Sequence, residues 1–121
     1  MSESENEKLK NSLIDLAIEG WKFSKLFIRM MNKLDAGEAG RYLNQLRYYH
    51  ENIESNLARA NMRLVNLEGQ IFDPGMAVNA LNAGDFSPED SLLVEQMLEP
   101  IIMGEDGLLR SGTVMLRKAQ L

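Results

Sequence analysis

An α+β fold, a long helical hairpin followed by a small and mostly antiparallel sheet, is predicted by three observations. Large apolar residues recur every three or four positions up to Gly69. Beyond it they come in short runs broken by Gly, Pro and Asp. Inside the first part the only break is Asp35-Ala36-Gly37-Glu38-Ala39-Gly40, whose glycines and Asp end a helix and turn the chain. At 121 residues this is one domain, or one helical unit with an appendage. The predicted division is a helical hairpin over 1–68 and a small β-domain over 69–121.

The first helix is predicted over about Glu5 to Leu34. Its seam reads Leu9, Leu13, Leu16, Gly20, Phe23, Phe27, Met30, Leu34. The spacings alternate four and three, as a coiled-coil or bundle seam requires. Gly20 is the weak member, costing up to about 1 kcal/mol in helix propensity, but it lets another backbone approach closely. A second apolar stripe runs through Ile14, Ile18, Trp21, Ile28 and Met31. A lone amphipathic helix needs one stripe, so two stripes imply two neighbours. The chain has only one other long helix to provide. Self-association is therefore expected, two hairpins making a dimeric four-helix bundle.

The second helix is predicted from Glu38 or Arg41 to Glu68, antiparallel to the first because the loop is short. Its seam is Leu43, Leu46, His50, Ile53, Leu57, Ala60, Leu64, Leu67. His50 is the only histidine. A pH sensor and a ligand are both open to it. Without Cys or a Glu-x-x-His pattern it reads first as a bundle-interior residue hydrogen-bonded to a neighbour. Tyr48 and Tyr49 flank it on the rim, and Trp21 reads as packing.

After Gly69, Pro74-Gly75 signals a turn with Pro at i+1 and, if the turn is type II, a positive φ at Gly75. Met76 to Leu81 suits a short strand, and 82–90 is a polar loop. Leu92 to Glu99 fits strand or helix by periodicity, and Pro100 disfavours helix beyond it. Ile101-Ile102-Met103 leads into Gly104-Glu105-Asp106-Gly107, a hairpin connection. Leu108 to Arg110 and Thr113 to Arg117 form the return strand, with Ser111-Gly112 marking a bulge. Three or four strands barely bury a core. The apolar surplus is expected to face a partner, a second copy or the helix ends.

Charge narrows the function classes. Residues 1–68 carry ten basic and ten acidic side chains, and 69–121 carry three basic against eight acidic, so the net charge of −5 lies in the second part. An acidic appendage does not bind nucleic acid by counterion release. It suits a basic or mixed protein surface, or serves solubility alone. No apolar run approaches the roughly 20 residues that span a bilayer. The polar, acidic start of the chain is unlike a secretory leader, so a cytoplasmic location is expected. There is no cysteine, no phosphate loop and no nucleophile elbow. Glu95, Glu99, Glu105 and Asp106 lack the tuned partner of a catalytic carboxylate pair. Asp85 to Asp90 lacks calcium-loop spacing. No enzyme, metal or cofactor is expected.

Two segments carry a family resemblance. Gly69-Gln70-Ile71-Phe72-Asp73-Pro74, followed by an apolar run, resembles the Gly-x-x-Phe-Asp-Pro lead into the β-domain of the GrpE family. Leu108-Leu109-Arg110-Ser111-Gly112-Thr113-Val114-Met115-Leu116 is similar to the family's apolar residue, arginine, two small residues and alternating strand. The upstream order of helix, break and helix is similar too, so the resemblance covers nearly the whole chain. It is specific only at these two segments. It implies a homodimeric nucleotide exchange factor for DnaK-type chaperones, a four-helix bundle with a β-wing on each subunit. One wing would insert against the chaperone's ATPase domain, open the nucleotide cleft and speed ADP release, with no bond made or broken. By position, the implied wing contacts are Phe72, Pro74, Gly75, Leu98 and Leu116, with Arg110 matching the family's arginine near the last strand.

Departures mark a divergent member, short at its N-terminal end. Ala77 stands where the family has histidine, Ile101-Ile102 replaces a glycine-aromatic pair, and Gly107 aligns with a basic turn position. The second reading is a dimeric adaptor or assembly protein that keeps the scaffold and binds another protein without exchange activity.

Overall fold

Ser2 begins the first helix: its hydroxyl accepts the Glu5 N–H at 3.2 Å and donates to the Glu5 carboxylate at 3.3 Å. Helix α1 spans Glu3–Met31. Helix α2 spans Ala36–Arg59 and starts on Asp35, whose carboxylate accepts the Glu38 N–H at 3.0 Å. A cap of this kind is worth about 1 kcal/mol, enough to hold Gly37 and Gly40 inside the first turns. In this computed structural model residues 2–119 are described; Met1, Gln120 and Leu121 lie outside the described residues. The chain divides into two compact units, Met1–Asn61 and Met62–Leu121.

α2 ends at Arg59, well short of the expected Glu68. Asn61 adopts φ 59°, the left-handed conformation that closes helices and that Asn tolerates better than most residues. The chain then enters strand β1, Arg63–Val65. Leu64, read as a seam residue, pairs with Ile102 in a sheet instead. The three-four spacing runs on through Ala60, Leu64 and Leu67 by coincidence, and the break falls at Asn61 rather than Gly69.

Within the hairpin the two stripes of α1 are inverted relative to expectation. Ile14, Ala17, Trp21, Ser24 and Met31 are its buried residues. They step by three, four, three and seven, the spacing of a heptad seam; Ile14, Trp21 and Met31 come from the stripe read as secondary, whose Ile18 and Ile28 are only half-buried, and Ala17 and Ser24 belonged to neither stripe. Of its predicted seam, α2 buries Leu46 and Leu57 and half-buries His50 and Ile53, while Leu43 and Ala60 are exposed. The space at Gly20 is used by α2: a Cβ there would lie 2.6 Å from the Tyr49 hydroxyl and 3.1 Å from Ile53 Cδ1.

The second unit holds six strands in two three-stranded sheets, not one sheet of three or four. Strand β2 is Val78–Ala80, β3 Leu92–Glu99, β4 Ile101–Gly104, β5 Gly107–Arg110 and β6 Gly112–Lys118. One sheet has the order β1-β4-β5, the other β2-β6-β3. All pairs are antiparallel except β2 with β6. Residues 92–99, ambiguous by periodicity, are strand. From Leu92 to Lys118 the chain is one bent hairpin that changes sheet at Pro100 and again at Ser111, with Gly107 at φ 126° closing its tight turn. Only glycine fits at 112, where a Cβ would lie 3.0 Å from the Glu99 carbonyl oxygen and 2.7 Å from Met97 Cε.

Two sheets give this unit a fuller core than a single small sheet allows. Val94, Met97, Ile101, Ile102, Val114 and Leu116 are buried, together with Met62. Register shifts interrupt the β3–β6 ladder, and the Met97 N–H is taken up by the Glu68 carboxylate at 3.3 Å. Beyond the end of β2, Asn82 acts as a substitute strand. Its side-chain amide donates to the Leu116 carbonyl and its oxygen accepts the Leu116 N–H, each at 2.9 Å. Asn82→Ala leaves both backbone groups unpartnered at a half-buried edge. It is expected to lower stability by about 1–3 kcal/mol in a urea melt, and Asn82→Asp, which sets a carboxylate oxygen against the Leu116 carbonyl, should cost at least as much.

Candidate functional site

The segment Gly69–Phe72 lies along the free edge of β3. The Gly69 N–H donates to the Val94 carbonyl at 2.8 Å, the Val94 N–H to Gln70 at 2.9 Å and the Phe72 N–H to Leu92 at 2.8 Å. Gly69 sits at φ 85°, which favours glycine. Asp73 then shapes a turn: its carbonyl accepts the Met76 N–H and its carboxylate the Gly75 N–H, both at 2.9 Å. Among the described glycines only 69 and 107 have positive φ, so the Pro74-Gly75 turn is not type II. Past it, the Ala77 carbonyl accepts the Gly112 N–H at 2.9 Å, and β2 runs parallel to β6 with Val78 opposite Gly112. The first segment singled out in the sequence therefore lines the outer edge of β3, and the Gly112–Leu116 part of the second is the central strand of the same sheet, while Leu108–Arg110 lies in the other sheet.

The individual residues are strung out, not clustered. Phe72 is half-buried beside the start of β3, and Pro74 and Gly75 are exposed on the turn. Leu98, half-buried near the far end of β3, is six residues beyond Leu92 and so about 20 Å away along the strand. Arg110 pairs with Ile102 in the other sheet, and its guanidinium donates to the Leu109 carbonyl at 3.1 Å. Leu116, expected as a surface contact, is 2% exposed and belongs to the core. The alternation of β6 turns Val114 and Leu116 inward together. Ile71 and Leu81 are large exposed side chains that the sequence reading passed over. Neighbours on an extended segment face opposite ways, so a half-buried Phe72 turns Ile71 outward.

Carboxylates dominate this unit's surface. Thr113 donates to Glu99 at 2.8 Å, Arg117 lies 4.0 Å from Glu95, and Lys118 lies 3.9 Å from Asp90. Such exposed pairs are worth at most about 1 kcal/mol. Among the described residues no group of three His, Cys, Asp or Glu side chains is arranged to hold a metal ion. No described helix is long and apolar enough to cross a membrane.

The hairpin presents a second surface. Leu9, Leu16, Phe23 and Met30, seven residues apart, are all exposed, as is Leu26. Leu16 is 72% and Phe23 59% exposed. Beside this stripe are two open apolar grooves. The larger, about 450 Å³, lies between Leu13 and Leu16 on α1 and Ile53 and Leu57 on α2. The smaller, about 270 Å³, lies between Phe23 and Phe27 on α1 and Leu46 and Tyr49 on α2. Phe23 and Phe27 stack at a tilt, with ring centroids 6.4 Å apart.

No known protein family, curated protein or solved structure matches this chain. Its function is therefore read from these two surfaces and from the order in which the chain joins them.

Proposed function

We propose that the chain is a homodimeric, GrpE-like nucleotide exchange factor. Its β-unit binds the ATPase domain of a DnaK-type chaperone, in the cytoplasm, and promotes ADP release. The observation that carries the reading is that β3 takes Gly69–Phe72 along one edge and β6 along the other. It brings the first segment of the family resemblance into one sheet with the Gly112–Leu116 part of the second, although they are far apart in the chain. Pairing of copies is supported by the open heptad stripe on α1. A stripe of that spacing is completed by another helix, and charge does not oppose a second copy, because residues 1–68 carry equal numbers of acids and bases.

The mechanism is a population shift. A wing that binds the open nucleotide cleft more tightly than the closed one moves the ATPase domain toward the open state by that difference in affinity. Phe72, Pro74, Gly75 and Leu98 supply the apolar and turn contacts, and Arg110 a charged one; Leu116 drops from the set because it is buried. No group on the protein needs to react.

Release of a fluorescent ADP analogue from a DnaK-type ATPase domain tests this. The intact protein is expected to accelerate release at micromolar concentration. Phe72→Asp and Leu98→Asp should each reduce the acceleration about tenfold or more, corresponding to about 1.4 kcal/mol of differential binding, with the dimer intact. Loss of the dimer in either variant would make that residue core. The adaptor reading draws on the exposed acidic turn Glu105-Asp106, with Gly107 in place of a basic residue. Binding to the ATPase domain without faster release would favour it.

A further inference from the structure

His50 was expected to hydrogen-bond a neighbour in the bundle interior. Among the described residues its Nε2 is buried with no hydrogen-bond partner. The ring sits on the α2 seam between Leu46 and Ile53, and the Tyr49 ring meets it edge-on at 6.5 Å between centroids. Two charges face it. Lys25 comes from α1, where its ammonium is held 4.8 Å from the centre of the Trp21 ring. Glu54 comes from the next turn of α2. We propose that His50 is a proton-sensitive latch on the hairpin: protonating its ring sets a second cation beside Lys25 and a donor without an acceptor into the α1–α2 seam, and so loosens the two helices.

The neutral and charged rings differ in what they ask of the site. A neutral imidazole with a bare Nε2 leaves one weak acceptor unmet. The imidazolium donates from both nitrogens and carries full charge, which a half-buried site between two helices solvates poorly. Burial is the largest influence and lowers the His50 pKa; Glu54 works against it, and Lys25 adds to it. The net effect places the folded pKa below the ordinary 6.5. The sign for stability follows. Above 6.5 the ring is neutral in both folded and unfolded chains, and the hairpin has its full stability. As pH falls, the unfolded chain takes up the proton first, and stability is lost until the folded pKa is passed. No other side chain type has an ordinary pKa in this range.

A single histidine makes the test direct, since its imidazole Cε1–H proton is one line in the NMR spectrum of the full chain. That line is expected to titrate with a midpoint below 6.5. The thermal midpoint of the helical unwinding should fall by a few degrees between about pH 7.5 and 5.5, and His50→Gln should remove most of that fall. Lys25→Gln should raise the His50 midpoint and Glu54→Gln should lower it, which serves if His50→Gln does not fold. A midpoint at or above 6.5, midpoints unmoved by the Lys25 and Glu54 changes, or an undiminished fall in His50→Gln would each overturn the proposal.

Discussion

Leu16→Glu combined with Phe23→Glu is expected to convert the proposed homodimer into a folded monomer. Both side chains are mostly exposed in the single chain, at 72% and 59%, so their replacement removes little from the hairpin interior. They lie seven residues apart on the face where a second copy would complete the seam. Full burial of a Leu or Phe is worth about 1.5–3 kcal/mol. A two-fold interface carries each substitution twice. Four apolar contacts are then lost and four carboxylates are placed in the interface, so dissociation should rise at least about a thousandfold, or some 4 kcal/mol. Sedimentation should show a shift from dimer to monomer, with helical circular dichroism unchanged. A wild-type chain that is monomeric at micromolar concentration would remove the scaffold half of the proposed function. Ile14→Glu, on the other stripe, should instead unfold the hairpin, because Ile14 has no exposed surface.

The second large effect separates two adjacent residues of β6. Val114→Asp is expected to abolish folding of the second unit, whereas Met115→Asp should cost little. Val114 is fully buried, opposite Ala80 of β2 on one side and Met97 of β3 on the other. A carboxylate there has no partner and must be buried charged or forced to hold its proton, and either costs several kcal/mol. That is a large share of the roughly 5–15 kcal/mol by which a domain is stable. Met115 faces the other way and is only half-buried, opposite Gln96. Amide exchange of β3 and β6 should lose protection in the first variant and keep it in the second. Equal effects would mean that β6 does not alternate as described.

Much of the local structure was legible in the residues. Asp35 with its following glycines marked the break between helices, Gly104 to Gly107 marked the tight turn, and Pro100 disfavoured helix beyond it, leaving 92–99 open between strand and helix. These are signals whose physics is contained in a few adjacent residues. The end of α2 was misread because Leu64 and Leu67 continue a helical spacing within a segment that is extended. Asn61 was the available stop signal, outweighed by the periodicity around it. Of the candidate wing residues, the exposure of Pro74 and Gly75 follows from their being a turn. The burial of Leu116 does not follow from the residue itself, since an alternating strand has two faces and either can be the inner one.

The sequence by itself determined that α1 carries two apolar stripes of heptad spacing, that a helical hairpin comes before strands, and that the acidic charge belongs to the latter part. These are properties of residue order and local periodicity. Only the tertiary structure decided that Ile14, Ala17, Trp21 and Ser24 face inward while Leu16 and Phe23 stay open. It alone decided that Val78 lies beside Gly112, and that the strands make two sheets. Such outcomes depend on which distant surface covers each face, and a spacing rule that is satisfied equally by both faces of a helix or a strand cannot choose between them.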